Sequence, residues 1–382
     1  MSTVPFLSWG VVSSSPPTAC GIATFTTALG TALTRRGDEV RIVRIVQTGD
    51  EAATSPFEQV AALRADDPWS IDQASAALNR CDVALIQHEF GLYGGRDGED
   101  VVAVMAAVQV PVVTILHTVL VTPTVHQRAL MNRVISLSTC VVVMSNAALA
   151  TLRLNYHLGD VVVRVIPHGA AVGLVPADSD PTDRAMLLTW GLIGPGKGIE
   201  WVIDALAFLR DLEPTPFYVV AGRTHPKVLA FAGDTYRHGL ERRVQENGVG
   251  DMVFFDNHYR SLASLNSLIS ASAMVVLPYD SPEQSTSGVL VDAIAAGRPV
   301  VATSFPHSVE MLSSGAGLIV GHRDPAAIAA AIRSILTNPA VAGAMTSEAR
   351  RIAPSLSWDA VALRYLDLSR SLLRSTHWPV SA

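Results

Sequence analysis

The sequence predicts an α/β chain: two Rossmann-like, doubly wound parallel-sheet domains in tandem, facing a cleft. Three observations lead there. Short β-branched runs alternate with helical stretches almost from end to end, the pattern of βαβ units. Of the 382 residues, 49% are hydrophobic and only 16% charged; the excess of Val, Ala, Ile and Leu suits parallel strands buried on both faces. A polar break, Pro176-Ala-Asp-Ser-Asp-Pro-Thr-Asp183, interrupts the alternation and reads as a linker.

In chain order, the first half offers strands at Phe6–Ser13, Glu39–Val46, Asp82–Gln87, Val112–Leu116, Cys140–Met144 and Val161–Ile166. Between them lie helical patterns such as Ala23–Arg36, Pro123–Leu137 and Asn146–Leu154. After the linker the alternation restarts with strands Met186–Trp190, Phe217–Ala221, Met252–Phe255, Met274–Leu277, Val300–Thr303 and Leu318–Val320. Helices are expected at Ile199–Leu209, Ser261–Ser270, Gly288–Ala296, Pro325–Leu336 and Trp358–Leu373. The last carries Trp358, Val361, Tyr365, Leu368 and Leu372 at helical spacing, so one face is buried. Two such domains make a cleft between the carboxyl ends of both sheets, where open α/β sheets place their ligands.

Composition excludes several classes. A net charge of −6 gives no global attraction to nucleic acid or anionic membranes. The three cysteines, Cys20, Cys81 and Cys140, have no metal-ligand spacing and read as reduced thiols of a cytoplasmic protein. The N-terminus has no signal-peptide pattern. The most apolar run, Val101 to Leu116, contains Gln109 and Pro111, so no spanning membrane segment is expected. Lys197 and Lys227 are the only lysines among 28 Lys+Arg, which draws attention to each.

Four groups of residues could carry chemistry. The first is Thr189-Trp-Gly-Leu-Ile-Gly-Pro-Gly-Lys-Gly198, between a strand and a helix. Its glycines let backbone approach an anion, the helix start offers free N–H groups, and Lys197 adds a point charge suited to a diphosphate. The alternative is a Gly-rich βα turn with a solvated lysine. The second is Gln284-Ser-Thr-Ser-Gly-Val-Leu-Val-Asp292. The free amides around Ser287 and Gly288 can hold an anion or sugar hydroxyls, and Asp292, one turn into the helix, suits a vicinal diol. Otherwise Gln284 is an ordinary loop residue and Asp292 a solvated one. The third is Pro16-Pro-Thr-Ala-Cys-Gly-Ile-Ala-Thr24, where Gly21 could let a loop close on a ligand. The fourth is a set of strand-end histidines: His88 with Glu89, His117, and His168. A lone histidine is more often structural than catalytic. No paired ligands share a helix face, so no metal site is expected.

In their order these motifs resemble the retaining family-four glycosyltransferases of GT-B fold, over nearly the whole chain. The phrases CGIATFT, QHEFGLYGG, HTVL, GPGKGIE, THP and SG…AIAAGRPVVAT resemble a bacterial, mannosyltransferase-like subgroup. The resemblance implies an acceptor-side domain at 1–172, a nucleotide-sugar donor domain at 173–355, and a C-terminal helix at 356–376 that packs back on the first domain. It implies a cytoplasmic, metal-independent hexosyltransferase of polysaccharide biosynthesis with no cofactor. GDP-mannose is the first expectation for the donor, UDP-glucose the second, and a carbohydrate hydroxyl is the acceptor. Residue by residue, Lys197 matches the phosphate lysine and His117 the histidine on the transferred sugar. Gly21 matches the glycine loop near the diphosphate. Gln284 and Asp292 stand at the two acids of the Glu-x7-Glu motif, the second of which holds the ribose. With Gly196, Ser287 and Gly288 they make the donor set; His88 and Glu89 fall to the acceptor.

Two departures stand out. Leu192 occupies a place where the family often has arginine, and Arg223, on the next βα loop, is the candidate substitute. Gln284 replaces an acid, and an amide neither acts as a base nor carries charge. Asp178-Ser-Asp180 matches a metal-binding pattern but lies in the linker. Two rival expectations are a glycoside phosphorylase of the same fold and a non-catalytic nucleotide-sugar-binding module.

Overall fold

The computed structural model describes residues 6–18, 20–46, 55–65, 67–173, 184–258 and 260–375. The linker expected at 176–183, with its Asp178-Ser-Asp180 pattern, lies outside these. The chain divides into two compact units: Met1–Gly169 with Trp358–Ala382, and Ala170–Ser357.

The first unit is built on a seven-stranded sheet. Its strands are β1 (Ser8–Ser13), β2 (Glu39–Val46), β3 (Glu58–Arg64), β4 (Val83–His88), β5 (Val112–Leu116), β6 (Cys140–Val143) and β7 (Val162–Val165). All pair in parallel, in the order β3-β2-β1-β4-β5-β6-β7. Neighbouring residues of one strand feed opposite faces. Val11, Ile42 and Leu85 enter one core with Phe25, while Val12, Val43 and Ile86 enter another with Leu78 and Val104. That two-sided burial is why the central strands read as continuous apolar runs.

The second unit repeats the plan with six strands. These are β8 (Met186–Trp190), β9 (Phe217–Ala221), β10 (Val253–Asp256), β11 (Met274–Leu277), β12 (Val300–Thr303) and β13 (Gly317–Val320). They too are all parallel, in the order β10-β9-β8-β11-β12-β13. In each sheet the chain winds outward from the first strand, then returns to that strand's other side. The order therefore reverses between β1 and β4, and between β8 and β11. The carboxyl edge beside such a switch point is where open α/β sheets place their ligands.

The expected fold class is what the structure contains, with one strand more. The sequence reading has no counterpart of β3, an edge strand (Glu-Gln-Val-Ala-Ala-Leu-Arg) with only Leu63 buried. An edge strand needs little apolar character, so it leaves a weak pattern.

Helix Trp358–Ser375 belongs to the first unit and packs against helix Gly21–Thr34. Val361, Tyr365, Leu368 and Leu372 are its buried face. At its start Trp358 lies over Gly169, where a Cβ would come within 2.3 Å of the indole, so only glycine fits there. Among the described residues, no single helix is long and apolar enough to cross a membrane.

Tyr365 is fully buried and its hydroxyl has no partner among the described residues. Tyr365→Ala is expected to cost about 3–5 kcal/mol, the range for truncating a buried aromatic ring. Tyr365→Phe, which removes only an unsatisfied hydroxyl, is expected to be neutral or stabilising. Urea denaturation of both variants checks this contrast.

Candidate functional site

The richest chemistry of the second unit lies where its strand order reverses. β8 ends at Trp190 and runs through Gly191–Gly198 into helix Ile199–Leu206. β11 ends at Leu277 and runs through 278–287 into helix Gly288–Ala295. The two loops touch. Gly198 is left-handed (φ 66°), and a Cβ on it would sit 1.8 Å from the Pro278 carbonyl oxygen. One step on, the Asp280 N–H donates to the Gly196 carbonyl at 2.9 Å. Gly196 itself has φ 86° and faces open space.

Lys197 stands between these contacts, partly buried. Its ammonium lies over the Tyr279 ring, 4.5 Å from the centroid. It forms no ion pair with any described residue. Tyr279 is buried and stacks on Phe305 at 5.3 Å. Its carbonyl accepts from Thr303 Oγ1 at 2.7 Å and from His322 Nδ1 at 2.9 Å.

The helix after β11 is capped by Ser287, whose Oγ accepts from the Leu290 N–H at 3.3 Å. The Ser287 N–H donates to Nδ1 of buried His307 at 2.9 Å. Gly288 opens the helix. Gln284 is partly buried and spends an amide N–H on the Thr286 carbonyl at 3.1 Å. Asp292 is one turn in, and its carboxyl has no hydrogen bond or ion pair among the described residues. Burial raises its pKa to about 7.

Arg223 reaches this region by extension of the sheet. Past the ends of β8 and β9 the ladder continues: Ile193 N–H donates to the Arg223 carbonyl at 2.9 Å, and His225 N–H to the Ile193 carbonyl at 2.8 Å. Ile193 bridges Thr224 in parallel, so Leu192 and Arg223 occupy neighbouring ladder positions. The exposed Arg223 side chain lines a cavity of about 310 Å³ with Thr224, Asp234, Arg237 and Asn257.

The first unit gathers its own set at the carboxyl edge of its sheet. Gly21 opens the helix after β1, exposed, with nothing within 4 Å of where its Cβ would be. Cys20 caps that helix, its Sγ accepting from the Ala23 N–H at 3.3 Å. His88 ends β4 and is buried, with Nδ1 unpartnered among the described residues. Glu89 follows and accepts from Thr118 Oγ1 at 2.6 Å. His117 follows β5. Its backbone N–H donates to the His88 carbonyl at 3.0 Å, and its Nε2 lies 2.6 Å from Gln87 Oε1. Phe25 is edge-on to His117 and to His168, with ring centroids 5.1 Å apart in each pair.

All three imidazoles are held neutral. Desolvation takes His117 to about 3, assisted by His168 and His88 nearby. Desolvation also lowers His88 and His168, each to about 4. A neutral, low-pKa imidazole orients by hydrogen bonds and is a weak base.

The structure thus brings Gly196, Lys197, Gln284, Ser287, Gly288 and Asp292 onto the two loop-and-helix segments flanking one switch point. It brings Gly21, His88, Glu89 and His117 to the other sheet's edge. Sequence reasoning missed Tyr279, His307 and Gln87. Tyr279 and Gln87 adjoin singled-out residues, but only their contacts reveal what they do. His307 had no local signal.

Asp292 gives a pH prediction. Its carboxyl titrates near 3.9 when unfolded and near 7 when folded. Folding therefore favours the protonated form, and that stability is complete below about pH 4 and lost as pH rises toward 7. Asp292→Asn is expected to leave Tm nearly unchanged at about pH 4 and to raise it at about pH 8. Thermal melts of the ligand-free protein at both pH values check this.

Comparison with known proteins fits this geometry. Residues 19–172 match the Glycosyltransferase Family 4 model and residues 184–338 match Glycosyl transferases group 1. The chain is 28% identical over 198 residues to a D-inositol 3-phosphate glycosyltransferase of Streptomyces avermitilis, covering 51% of this chain and 41% of that protein. It is 31% identical over 185 residues to a glycogen synthase of Mycobacterium tuberculosis, covering 47% and 41%. The matches thus span about two fifths of those relatives' length. Among solved structures, sucrose-phosphate synthase from Thermosynechococcus elongatus superposes with a TM-score of 0.74 at 21% identity, covering 97% of this chain and 100% of that one. Anabaena HepE, solved with UDP and glucose, gives 0.74 at 16% identity, covering 96% and 100%. The two family matches take in most of the chain between them, and the fold agrees: the chain belongs to the group 1/family 4 glycosyltransferases of GT-B fold.

Proposed function

We propose that this protein transfers a hexose from a nucleoside diphosphate sugar to a carbohydrate hydroxyl, with retention of anomeric configuration and without a divalent metal. The observation that carries the reading is the pair of touching loops at the β8/β11 switch point. They present a lysine with no carboxylate partner among the described residues beside a capped helix start, and a diphosphate is the complement of that arrangement. One turn further, an unpartnered carboxyl is the complement of a ribose diol, since each oxygen can accept one hydroxyl. GDP-mannose remains the first donor to test, on the sequence resemblance. UDP-glucose is the second, and HepE, which has also been solved with UDP-glucose, supports including it.

The chemistry follows from which groups can carry charge. As the glycosidic bond breaks, charge develops on the departing diphosphate, and Lys197 stabilises it there without protein rearrangement. Arg223, beside Leu192 on the ladder, supplies the cation that position 192 lacks. A double displacement needs a nucleophile at the anomeric carbon. Position 284 holds an amide, and Glu283 is exposed on the loop. This favours a same-face transfer in which the leaving diphosphate takes the acceptor's proton. His117, neutral at working pH, orients the transferred sugar without acting as an essential base. Gln284 holds that sugar by hydrogen bonds. On the sequence resemblance, Gly21 is assigned to the diphosphate and His88 and Glu89 to the acceptor. A cytoplasmic location fits the absence of any disulfide among the described residues.

Lys197→Ala is expected to lower kcat/KM for the donor on the order of 10²-fold or more, with the fold intact. Arg223→Ala should give a smaller loss of the same kind. The assay is turnover of GDP-mannose and UDP-glucose with excess EDTA, with the product's anomeric configuration read by proton NMR. Wild-type kinetics for Lys197→Ala, an inverted product, or activity restored only by Mn²⁺ or Mg²⁺ would each overturn part of the reading. Phosphate-dependent cleavage of a disaccharide without nucleotide would instead identify a phosphorylase. Donor binding without turnover would identify a binding module.

A further inference from the structure

We propose that Tyr279 is the positioning residue for Lys197: the face of its ring holds the ammonium at the edge of the sheet, oriented in advance for the donor's diphosphate. The inference rests on the donor-site reading above and assigns a role to a residue that does not itself touch substrate.

Four observations converge on it. The Lys197 ammonium lies 4.5 Å from the Tyr279 centroid, within the range where a cation is attracted to an aromatic face. The ring is fixed from several sides: it stacks on buried Phe305, and its own carbonyl is held by Thr303 and His322. The lysine's backbone is fixed against the same segment, through Gly198 on the Pro278 carbonyl and the Asp280 N–H on the Gly196 carbonyl. Finally, the Tyr279 hydroxyl is buried with no partner among the described residues. What the position uses is therefore the aromatic face and not the hydroxyl.

The physical need is clear. A lysine ammonium is a point charge on a flexible four-carbon stem, and ordering that stem on binding costs affinity. A carboxylate could also hold the ammonium, but it would cancel the charge and compete with the phosphate oxygens. A ring face holds the cation while leaving its N–H groups free on the other side. The ammonium thus keeps its charge uncompensated by a carboxylate in the empty state and loses less side-chain entropy when the donor arrives.

The chain supplies its own probe. Lys197 and Lys227 are its only lysines, so ¹³C-lysine labelling gives two side-chain signals, assigned with Lys227→Arg. In the ligand-free wild type the Lys197 Cε protons should be shifted upfield by the ring current. Tyr279→Phe should keep the shift and Tyr279→Leu abolish it. By calorimetry with GDP and UDP, Tyr279→Leu should weaken binding about tenfold, a cation–π-sized effect, and Tyr279→Phe should stay near wild type. In a Lys197→Ala background Tyr279→Leu should cause no further loss. An unshifted Lys197 signal in the wild type overturns the proposal, and so do losses that simply add in the double variant. If wild-type protein binds neither nucleotide, the donor assignment fails, and the NMR shift decides independently whether the ring holds the lysine.

Discussion

The second unit's site depends on one steric contact. The Pro278 carbonyl, just past the end of β11, occupies the space where any side chain at position 198 would begin. Because residue 198 is glycine in a left-handed conformation, the loop after β8 can lie directly on the loop after β11. Everything that makes the region chemically useful follows from that approach. The Asp280 N–H reaches Gly196, Tyr279 comes under Lys197, and helix Ile199–Leu206 starts beside the neighbouring loop. The strand order sets the two loops side by side, and the glycine lets them meet.

The electrostatics of the ligand-free unit are unfinished in a complementary way. Lys197 has an aromatic face but no carboxylate, and Asp292 has burial but no donor. Neither group has a counter-ion among the described residues. The partly buried Asp292 carboxyl has no hydrogen-bond donor or cation beside it among the described residues, and burial raises its pKa to about 7. Groups of this kind cluster where a ligand completes them. The proposed donor's nucleoside diphosphate would complete both, offering anionic oxygens to the lysine and a diol to the carboxyl. The first unit shows the opposite tendency. Of its strand-end histidines, His117 and His168 are desolvated, neutral and edge-on to Phe25, and His88 is likewise buried and neutral beside Phe90, so these three offer shape and hydrogen bonds rather than charge.

Much of this was legible in the sequence because the relevant signals are local. Buried parallel strands such as Cys-Val-Val-Val and Met-Val-Val-Leu announce themselves as unbroken apolar runs, and the C-terminal helix shows its buried face by spacing alone. The Gly-x-Lys-Gly loop is a short phrase between a strand and a helix. What escaped depends on distant partners. β3 is an edge strand whose pairing with β2, not its composition, makes it a strand. Tyr279 matters through Lys197 and Phe305, and His307 through the Ser287 N–H, twenty residues away. Arg223 illustrates the middle ground: its residue type suggested a substitute cation, but only the Ile193–Thr224 bridge sets it beside Leu192.

The amide at 284 shows how far such contacts constrain chemistry. One of its N–H bonds goes to the Thr286 carbonyl, and its main-chain carbonyl accepts from the His307 N–H at 3.4 Å. The side chain is thereby tied back to its own loop, with its carbonyl oxygen and one N–H left for a ligand. A glutamate there would have no N–H for Thr286 and, on the proposed reading, would place a negative charge near the donor's diphosphate. The glutamine removes that repulsion and keeps an acceptor for a sugar hydroxyl. In exchange it gives up any ability to act as nucleophile or base. On the proposed reading the amide at 284 is no base, and the donor itself supplies the proton acceptor. The departing diphosphate is the anion that the proposed reaction releases beside the acceptor, and its oxygen can take the hydroxyl proton as the glycosidic bond breaks.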